Sequence, residues 1–157
     1  MKKLSILLIM ILGVFTLVGC GKKEVHIEGK LDEIFDKIYE KVDEENLPMG
    51  LTEIEITKDN IEQFVGTKDI EFESASASES QVGSIAYSVV LIRTKKGADV
   101  EEIKKKIEDN INPRKWICVG VEKEDVIIDN KGDLVIAIVV EDEAARKEIH
   151  EGFNSLK

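Results

Sequence analysis

The sequence predicts an α+β domain, in which an antiparallel β-sheet is packed with α-helices. Residues 84–94 and 134–140 are apolar at both alternating positions at their centres, as in strands that are buried on both faces. A segment with helical spacing of its apolar residues follows each of them, at 99–111 and 142–156. A hairpin partner is predicted before each strand, which gives a ββα-ββα order after an N-terminal amphipathic helix.

The start of the chain has the composition of an export signal. Lys2 and Lys3 precede an apolar run from residue 4 to residue 18, and Gly19 stands before Cys20. This order of charged, apolar and small residues is typical of a secretory signal, and the run is too short to span a bilayer comfortably. With a cysteine at the cleavage site, it resembles the lipobox of bacterial lipoproteins. The resemblance implies cleavage between Gly19 and Cys20 and a diacylglyceryl group on the Cys20 sulfur.

The anchor implied at Cys20 predicts both location and domain limits. Because two acyl chains give stable attachment, the mature chain is expected on the outer face of the cytoplasmic membrane, lipid-anchored and extracytoplasmic. The predicted divisions are a signal peptide at 1–19, a polar tether at 20–30 and a single domain at 31–157. A mature chain of about 138 residues is long enough for one hydrophobic core.

The composition is strongly acidic. The chain has 22 Lys and Arg against 32 Asp and Glu, and a net charge of −10 at pH 7. Removal of Lys2 and Lys3 with the signal leaves 20 basic side chains and a net charge of −12. Such a domain repels the phosphates of nucleic acids and anionic lipids, and no basic cluster with interleaved aromatic residues offsets this. Nucleic-acid binding is therefore not expected.

The predicted domain begins with an amphipathic helix over residues 31–45. Pro48 follows its end, and proline disfavours helical geometry in the residue before it. The apolar side chains of this helix recur with helical spacing and form one stripe, Leu31, Ile34, Phe35, Ile38 and Val42.

Shorter elements follow the first helix. Isoleucines that alternate with acidic residues predict a strand over 51–57, and a short helix is predicted over 58–65. Residues 69–80 are expected to form a strand with an irregularity, because Phe72 and the later alanines fall on opposite parities. A side-chain period of two accommodates that change only with a bulge or a change of partner.

Small residues dominate Ser74–Ser80, so another backbone can approach this segment closely. Two interpretations follow, a binding edge on the one hand, and an ordinary edge strand or flexible loop on the other. Under the first interpretation, Ser76 and Ser78 are candidate partner-surface residues.

Val90 is a third candidate partner-surface residue, because of the way helices can cover the sheet. The helices at 99–111 and 142–156 follow their strands in similar ways, so both are expected on one face of a four-stranded sheet. A helix is about 10–12 Å across and strands lie about 4.8 Å apart, so a single further helix covers roughly two strands. The second face, tested at Val90, is then either under the first helix or exposed to a partner.

Turn and cap residues limit the later elements. Asp99, with a glutamate three residues later, has the pattern of a capping box, and Asp142 is the predicted N-cap of the last helix. Residues 129–132, Asp-Asn-Lys-Gly, suit a tight hairpin whose glycine supplies a positive φ. Gly152 lies inside the last helix, where glycine costs up to about 1 kcal/mol relative to alanine, and predicts fraying at that end.

Cysteine and histidine are sparse. Cys118 lies in the apolar run 116–119, so a buried thiol is expected, the alternative being a reactive thiol. His26 lies on the tether and His150 lies between two glutamates on the last helix, and both are expected to be solvated. A histidine-based metal site or catalytic triad is not predicted.

Recognisable catalytic motifs are absent. The sequence has no G-x-S-x-G, H-E-x-x-H or C-x-x-C motif and no glycine-rich phosphate loop. Adjacent carboxylates are unspecific in a chain with 32 acidic residues, and residues 125–133 fail the ligand spacing of a Ca²⁺ loop. The sequence therefore predicts no catalytic, cofactor-binding or metal-binding residues.

Two classes of function are consistent with these features. The favoured class is a surface-tethered binding or accessory module that acts on an envelope protein or a small ligand. The alternative is an envelope enzyme that uses carboxylate chemistry. A closed cleft holding two carboxylates in apolar surroundings would favour the enzyme, whereas an open sheet face would favour the binding module.

The order of elements from about residue 31 to residue 156 also resembles a family of small bacterial lipoproteins of unknown function. The features that carry this resemblance are the amphipathic helix after the tether, the small polar segment Ser74–Ser80, Val100-Glu101-Glu102-Ile103 at a helix start and Lys131-Gly132 in the later hairpin. The family has no established catalytic residues, so the resemblance implies none for this chain.

Overall fold

A computed structural model describes residues 25–157 of the protein. These residues form helices and one β-sheet, which confirms the predicted α+β class. The helices are α1 (Leu31–Tyr39), α2 (Ile61–Val65), α3 (Val100–Asn110) and α4 (Glu143–Ser155), with short 3₁₀ turns at Glu44–Asn46 and Lys123–Asp125. The strands are β1 (Leu51–Ile56), β2 (Phe72–Ser80), β3 (Tyr87–Thr94), β4 (Ile127–Lys131) and β5 (Leu134–Val140).

The sheet has five strands in the order β1-β2-β3-β5-β4, and every neighbouring pair is antiparallel. The predicted ββα-ββα order is found in β2-β3-α3 and β4-β5-α4. The expectation of four strands is wrong, because β1 and α2 precede these units and β1 joins the sheet as an edge strand.

The two central strands are buried on both faces, as their apolar pattern predicts. Every residue of β3 and β5 is buried. Helices α2 and α3 cover the face that contains Val90, and α1 and α4 cover the other face. The predicted placement of α3 and α4 on one face is therefore wrong. Because both faces of β3 and β5 are apolar, each face needs its own pair of helices.

Helices α1 and α4 pack closely because of Gly152. A Cβ atom at this position would lie 2.6 Å from the backbone oxygen of Ile38, in α1. The glycine is buried, and α4 continues beyond it to Ser155. The predicted fraying is wrong, since the same missing side chain that lowers helix propensity permits this contact.

The N-caps predicted at Asp99 and Asp142 are confirmed. The Asp99 side chain accepts a hydrogen bond from the Glu102 N–H, and the Asp142 side chain accepts one from the Ala145 N–H.

The turn of the later hairpin lies two residues after the centre of the predicted segment 129–132. Lys131 pairs directly with Leu134, so residues 132 and 133 form the turn. Gly132 has the predicted positive φ, +60°.

The register of β2 shifts between Phe72 and Ser74, which confirms the predicted irregularity in that strand.

The packed chain begins before residue 31. Ile27, within the predicted tether, is 1% exposed and lies in the cluster formed with α1 and α4. The backbone oxygen of Val25 accepts a hydrogen bond from the Asp133 N–H at 3.1 Å. Residues 25–30 are thus held against the β4–β5 turn and belong to the folded domain.

Candidate functional site

The structure corrects the candidate partner surface. Val90 is 0% exposed and Ser78 is 1% exposed, so neither offers surface to a partner. Ser76 is partly exposed and lies on the wall of an open groove. Gly19 and Cys20, the predicted cleavage and lipidation residues, lie outside the residues that the structure describes.

The groove that contains Ser76 runs between the start of α1 and strands β1 and β2. Its volume is ≈ 690 Å³. The side chains of Glu53 and Glu55 point to the α1 side of the sheet, because the intervening Ile54 and Ile56 pack on the α2–α3 side. The lining residues are Lys30, Leu31 and Asp32 from the start of α1, Glu53, Glu55 and Ile56 from β1, and residues 72–76 from β2.

Two further side chains of α1, Asp36 and Tyr39, lie on the same side of the helix as Asp32, because the three residues recur at helical spacing. The charges of Asp32 and Asp36 both act on Glu53, and Tyr39 lies beside Ser78, the residue that pairs with Glu53 across the sheet. The acidic side of the helix therefore faces the acidic side of the edge strand.

The carboxylates of this region lack basic partners. Among residues 25–157, no ion pair involves Asp32, Asp36, Glu53, Glu55 or Glu73, and the one cation that lines the groove is Lys30. Partial burial raises the pKa of Glu53, and the charges of Asp32 and Asp36 raise it further. The groove thus concentrates negative charge that the described residues do not neutralise.

Two tyrosine hydroxyls are buried between α1 and the sheet. Those of Tyr39 and Tyr87 have no hydrogen-bond partner within the described part of the chain. Burial raises the pKa of Tyr39 to about 12 and raises that of Tyr87 further still, so both stay protonated and keep a hydrogen to donate.

The backbone of β1 is open along its outer edge. The Gln81 N–H donates to the Gly50 oxygen, so residues 50, 52, 54 and 56 form the hydrogen-bonded pairs with β2. The N–H groups of Leu51, Glu53 and Glu55 therefore point away from the sheet, as do their carbonyl oxygens. Of these groups, only the Glu55 oxygen has a partner in the described residues, the Asn60 side chain at 3.1 Å. The edge of the sheet is available for pairing.

A second polar cluster lies at the other end of β2 and has the composition of a serine–lysine pair. Lys115 Nζ donates to Ser88 Oγ at 3.1 Å and also contacts Glu79. Ser88 Oγ donates in turn to Glu79 at 2.7 Å, and Ser88 is 1% exposed. Lys115 contacts both Ser88 and the Glu79 carboxylate, so this cluster is a structural ion pair with a hydrogen-bonded serine.

Both histidines contact carboxylates, a contact that the sequence did not predict. His26 is exposed, as expected, whereas His150 is only partly exposed. His26 Nδ1 lies 2.5 Å from Asp133 Oδ2, and the buried Arg93 donates to the same oxygen at 3.2 Å. Arg93 also donates to the Gly29 oxygen at 3.0 Å, so this cluster fastens the N-terminal segment to the sheet. His150 Nε2 lies 2.7 Å from Asp129 Oδ2 and joins α4 to β4.

The prediction of a buried thiol at Cys118 is wrong. Cys118 is exposed, in the loop between α3 and β4, and its neighbour Ile117 is 98% exposed. Trp116 and Val119 pack against the core and Val121 is buried in it, so the apolar residues of this loop do not all point inward. No second cysteine accompanies Cys118 in the described part of the chain.

Residues 25–157 contain no group of three or more His, Cys, Asp or Glu side chains arranged to hold a metal ion. Within the same residues, no helix has the length and apolar content needed to cross a membrane. The carboxylates of the groove were not predicted as site residues. Their signal in the sequence is the alternation Glu53-Ile54-Glu55-Ile56, which marks one face of a strand but does not show that the strand is an edge.

Comparisons with known proteins found no match, since no family model, no curated protein and no solved structure is similar to this chain.

Proposed function

We propose that this protein is a lipid-anchored extracytoplasmic lipoprotein that acts as a non-catalytic binding module, with the groove beside β1 as its binding surface. The anchor rests on the sequence pattern that ends at Cys20. The observation that carries the binding function is an open groove, ≈ 690 Å³ in volume, whose carboxylates are exposed and have no basic partner among residues 25–157.

The placement of the N-terminal segment supports this proposal. Val25 is fastened at the β4–β5 turn, whereas the groove lies at β1, on the opposite edge of the sheet. Three strand spacings separate β5 from β1, which is about 14 Å. The described part of the chain therefore begins on the side of the sheet that is farthest from β1.

The alternative of an envelope enzyme receives less support. Carboxylate catalysis at neutral pH relies on a desolvated acid or base, held in a cleft that excludes water. Glu53 and Glu55 are exposed. The carboxylates of two other open grooves that also have apolar walls are exposed as well, Glu108 and Asp109 in one and Glu45 and residues 141–143 in the other. An exposed acidic surface of this kind suits recognition of a cationic partner.

Two measurements on intact cells test the proposal. Cys20→Ser is expected to prevent lipidation and signal cleavage, so the uncleaved protein loses lipid labelling and keeps its full length. Glu55→benzoylphenylalanine, in the otherwise native lipoprotein, is expected to photocrosslink to an envelope component, whereas Glu124→benzoylphenylalanine on the far side is expected to give no such product. Unchanged processing of Cys20→Ser would contradict the anchor, and equal crosslinking at positions 55 and 124 would contradict the groove.

A further inference from the structure

We propose that the groove takes an extended, lysine- or arginine-bearing segment of a partner protein, which adds to the sheet as a sixth strand beside β1. This inference rests on the proposed binding function and names the chemistry of its partner. It combines an unpaired strand edge with an uncompensated charge on the same strand.

The backbone supplies the pairing. The outward N–H groups of Leu51, Glu53 and Glu55, with the oxygens of Leu51 and Glu53, have no partner among residues 25–157. Five groups on alternate residues make a hydrogen-bonding row for an added strand, the arrangement used when extended peptides join a sheet edge. Strand β1 contains no proline, lysine or bulge that would prevent this pairing.

The charge specifies the partner. Glu53 and Glu55 are two residues apart on one face of β1, so their side chains repeat at about 7 Å. An added strand has the same repeat, and cations at alternate positions would each lie opposite a carboxylate.

The other edge strand, β4, is a less suitable site for an added strand, and a second copy of this protein is a less suitable partner. At β4, Asn130 contacts Lys104 of α3 and Asp129 contacts His150 of α4, so helices flank that edge on both faces. Pairing of β1 with β1 of a second copy would bring the glutamates of two chains together, and each chain has a net charge of −10. Like charges across a strand pair are destabilising, which favours a basic partner over self-association.

Fluorescence anisotropy with the full-length lipoprotein in non-ionic detergent micelles tests the inference. The probe is a labelled peptide, Thr-Lys-Val-Lys-Thr-Lys-Val, and its control replaces each lysine with glutamate. Two further probes each carry three N-methyl groups on alternate residues, one probe at the three lysines and the other at the residue after each lysine. Because only alternate residues of an added strand bond to the edge, one N-methylated isomer is expected to bind like the parent and the other to lose binding.

Matched variants separate charge from strand pairing. The double variant Glu53→Gln/Glu55→Gln is expected to weaken binding about five- to ten-fold, as for the loss of two exposed ion pairs. The control Glu108→Gln/Glu124→Gln makes the same change in net charge on the opposite side and is expected to leave affinity unchanged. Glu53→Pro removes an outward N–H as well as the charge, so it is expected to bind more weakly than Glu53→Gln.

The outcomes distinguish this inference from the proposed function. Equal binding of both N-methylated isomers would overturn strand addition and leave the groove as a charged binding surface. Equal binding of the lysine and glutamate peptides would overturn the cationic partner. If Glu53→Gln/Glu55→Gln self-associates and the parent protein binds no peptide, the glutamates only prevent β1 from pairing with a second copy. The inference is then wrong. Circular dichroism establishes that Glu53→Pro is folded; if it is not, the comparison of isomers decides alone.

Discussion

At the scale of single residues, two glutamates show opposite electrostatic environments. Partial burial and the charges of Asp32 and Asp36 raise the pKa of Glu53. Hydrogen bonds from Lys95 and Lys58 lower the pKa of Glu71 to about 2. Ionisation of Glu53 therefore destabilises the folded state, whereas ionisation of Glu71 stabilises it.

We predict that Glu53→Gln stabilises the folded protein at neutral pH. When a carboxyl pKa is raised on folding, ionisation destabilises the folded state as the pH rises through that pKa. Below about pH 4.3, the usual pKa of a glutamate in an unfolded chain, Glu53 is protonated in both states and the substitution has no electrostatic effect. The gain is expected to be at most about 0.5 kcal/mol, since Glu53 is exposed. Urea unfolding at about pH 7 and pH 3 measures it.

Glu71→Gln is the control with the opposite sign. The pKa of Glu71 is lowered on folding, so its contribution is present at neutral pH and is lost as the pH falls through about 2. This variant is expected to be less stable than the parent near neutral pH. Destabilisation by both substitutions would contradict the absence of a basic partner for Glu53.

Residue-scale predictions from neighbours in the sequence were the least successful. Asp133, the partner of His26, is 107 residues away from it, and Asp129, the partner of His150, is 21 residues away. Cys118 lies in an apolar run, yet the loop that holds it points the thiol outward. The environment of a side chain in this protein depends on contacts that its local sequence does not specify.

At the scale of elements, the contact between α1 and α4 depends on Gly152. A Cβ atom there would lie 2.6 Å from the Ile38 oxygen, much closer than side-chain carbons normally approach a carbonyl oxygen. An alanine gains up to about 1 kcal/mol in helix propensity, but overpacking costs typically about 1–3 kcal/mol. Because the obstacle is backbone, α4 must move away from α1, so the steric cost is expected to exceed the gain.

We predict that Gly152→Ala lowers the free energy of unfolding by about 1–2 kcal/mol. Asn154→Ala is the matched control, since Asn154 is exposed on the same helix and alanine there has only a propensity effect. Thermal and urea unfolding followed by circular dichroism provide the comparison. A Gly152→Ala protein more stable than the parent would show that the two helices are less closely packed than the structure indicates.

The types of secondary-structure element were predicted well, but the face of the sheet that each helix covers was not. The periodicity of residues 84–94 and 134–140 identified the buried strands, and Asp99 and Asp142 are the N-caps that their patterns indicate. The choice of face for α3 failed, because both faces of the central strands are apolar. Only the packing of α2 and α3 together, and of α1 with α4, decides which helix covers which face.

At the scale of the whole molecule, one sheet separates two apolar clusters. Val90 lies at the centre of the cluster covered by α2 and α3, between Ala77 and Ala137 on the neighbouring strands. Its side chain is 0% exposed, so a charge at this position has neither water nor a counter-ion in contact. Its role is structural in the folded state.

We predict that Val90→Asp destabilises the protein on the order of 4 kcal/mol or more, enough to unfold a domain of ordinary stability. Val82→Asp makes the same chemical change at a valine that is 44% exposed, and is expected to change stability by about 0.5 kcal/mol or less. Denaturant titration and proteolysis rates measure both. A folded, stable Val90→Asp protein would contradict the burial of this face.

The sequence by itself determined the α+β class, most of the strands and helices, two helix caps and the expectation of an acidic, anchored domain. These features depend on residues a few positions apart, through periodicity, capping and composition. The tertiary structure alone decided that β1 is an edge strand, that α3 and α4 lie on opposite faces, and that Glu53 and Glu55 face Asp32 across an open groove. Those features depend on strand pairing and helix packing between distant segments, and a local pattern cannot specify which distant segment is paired or which charge is left without a partner.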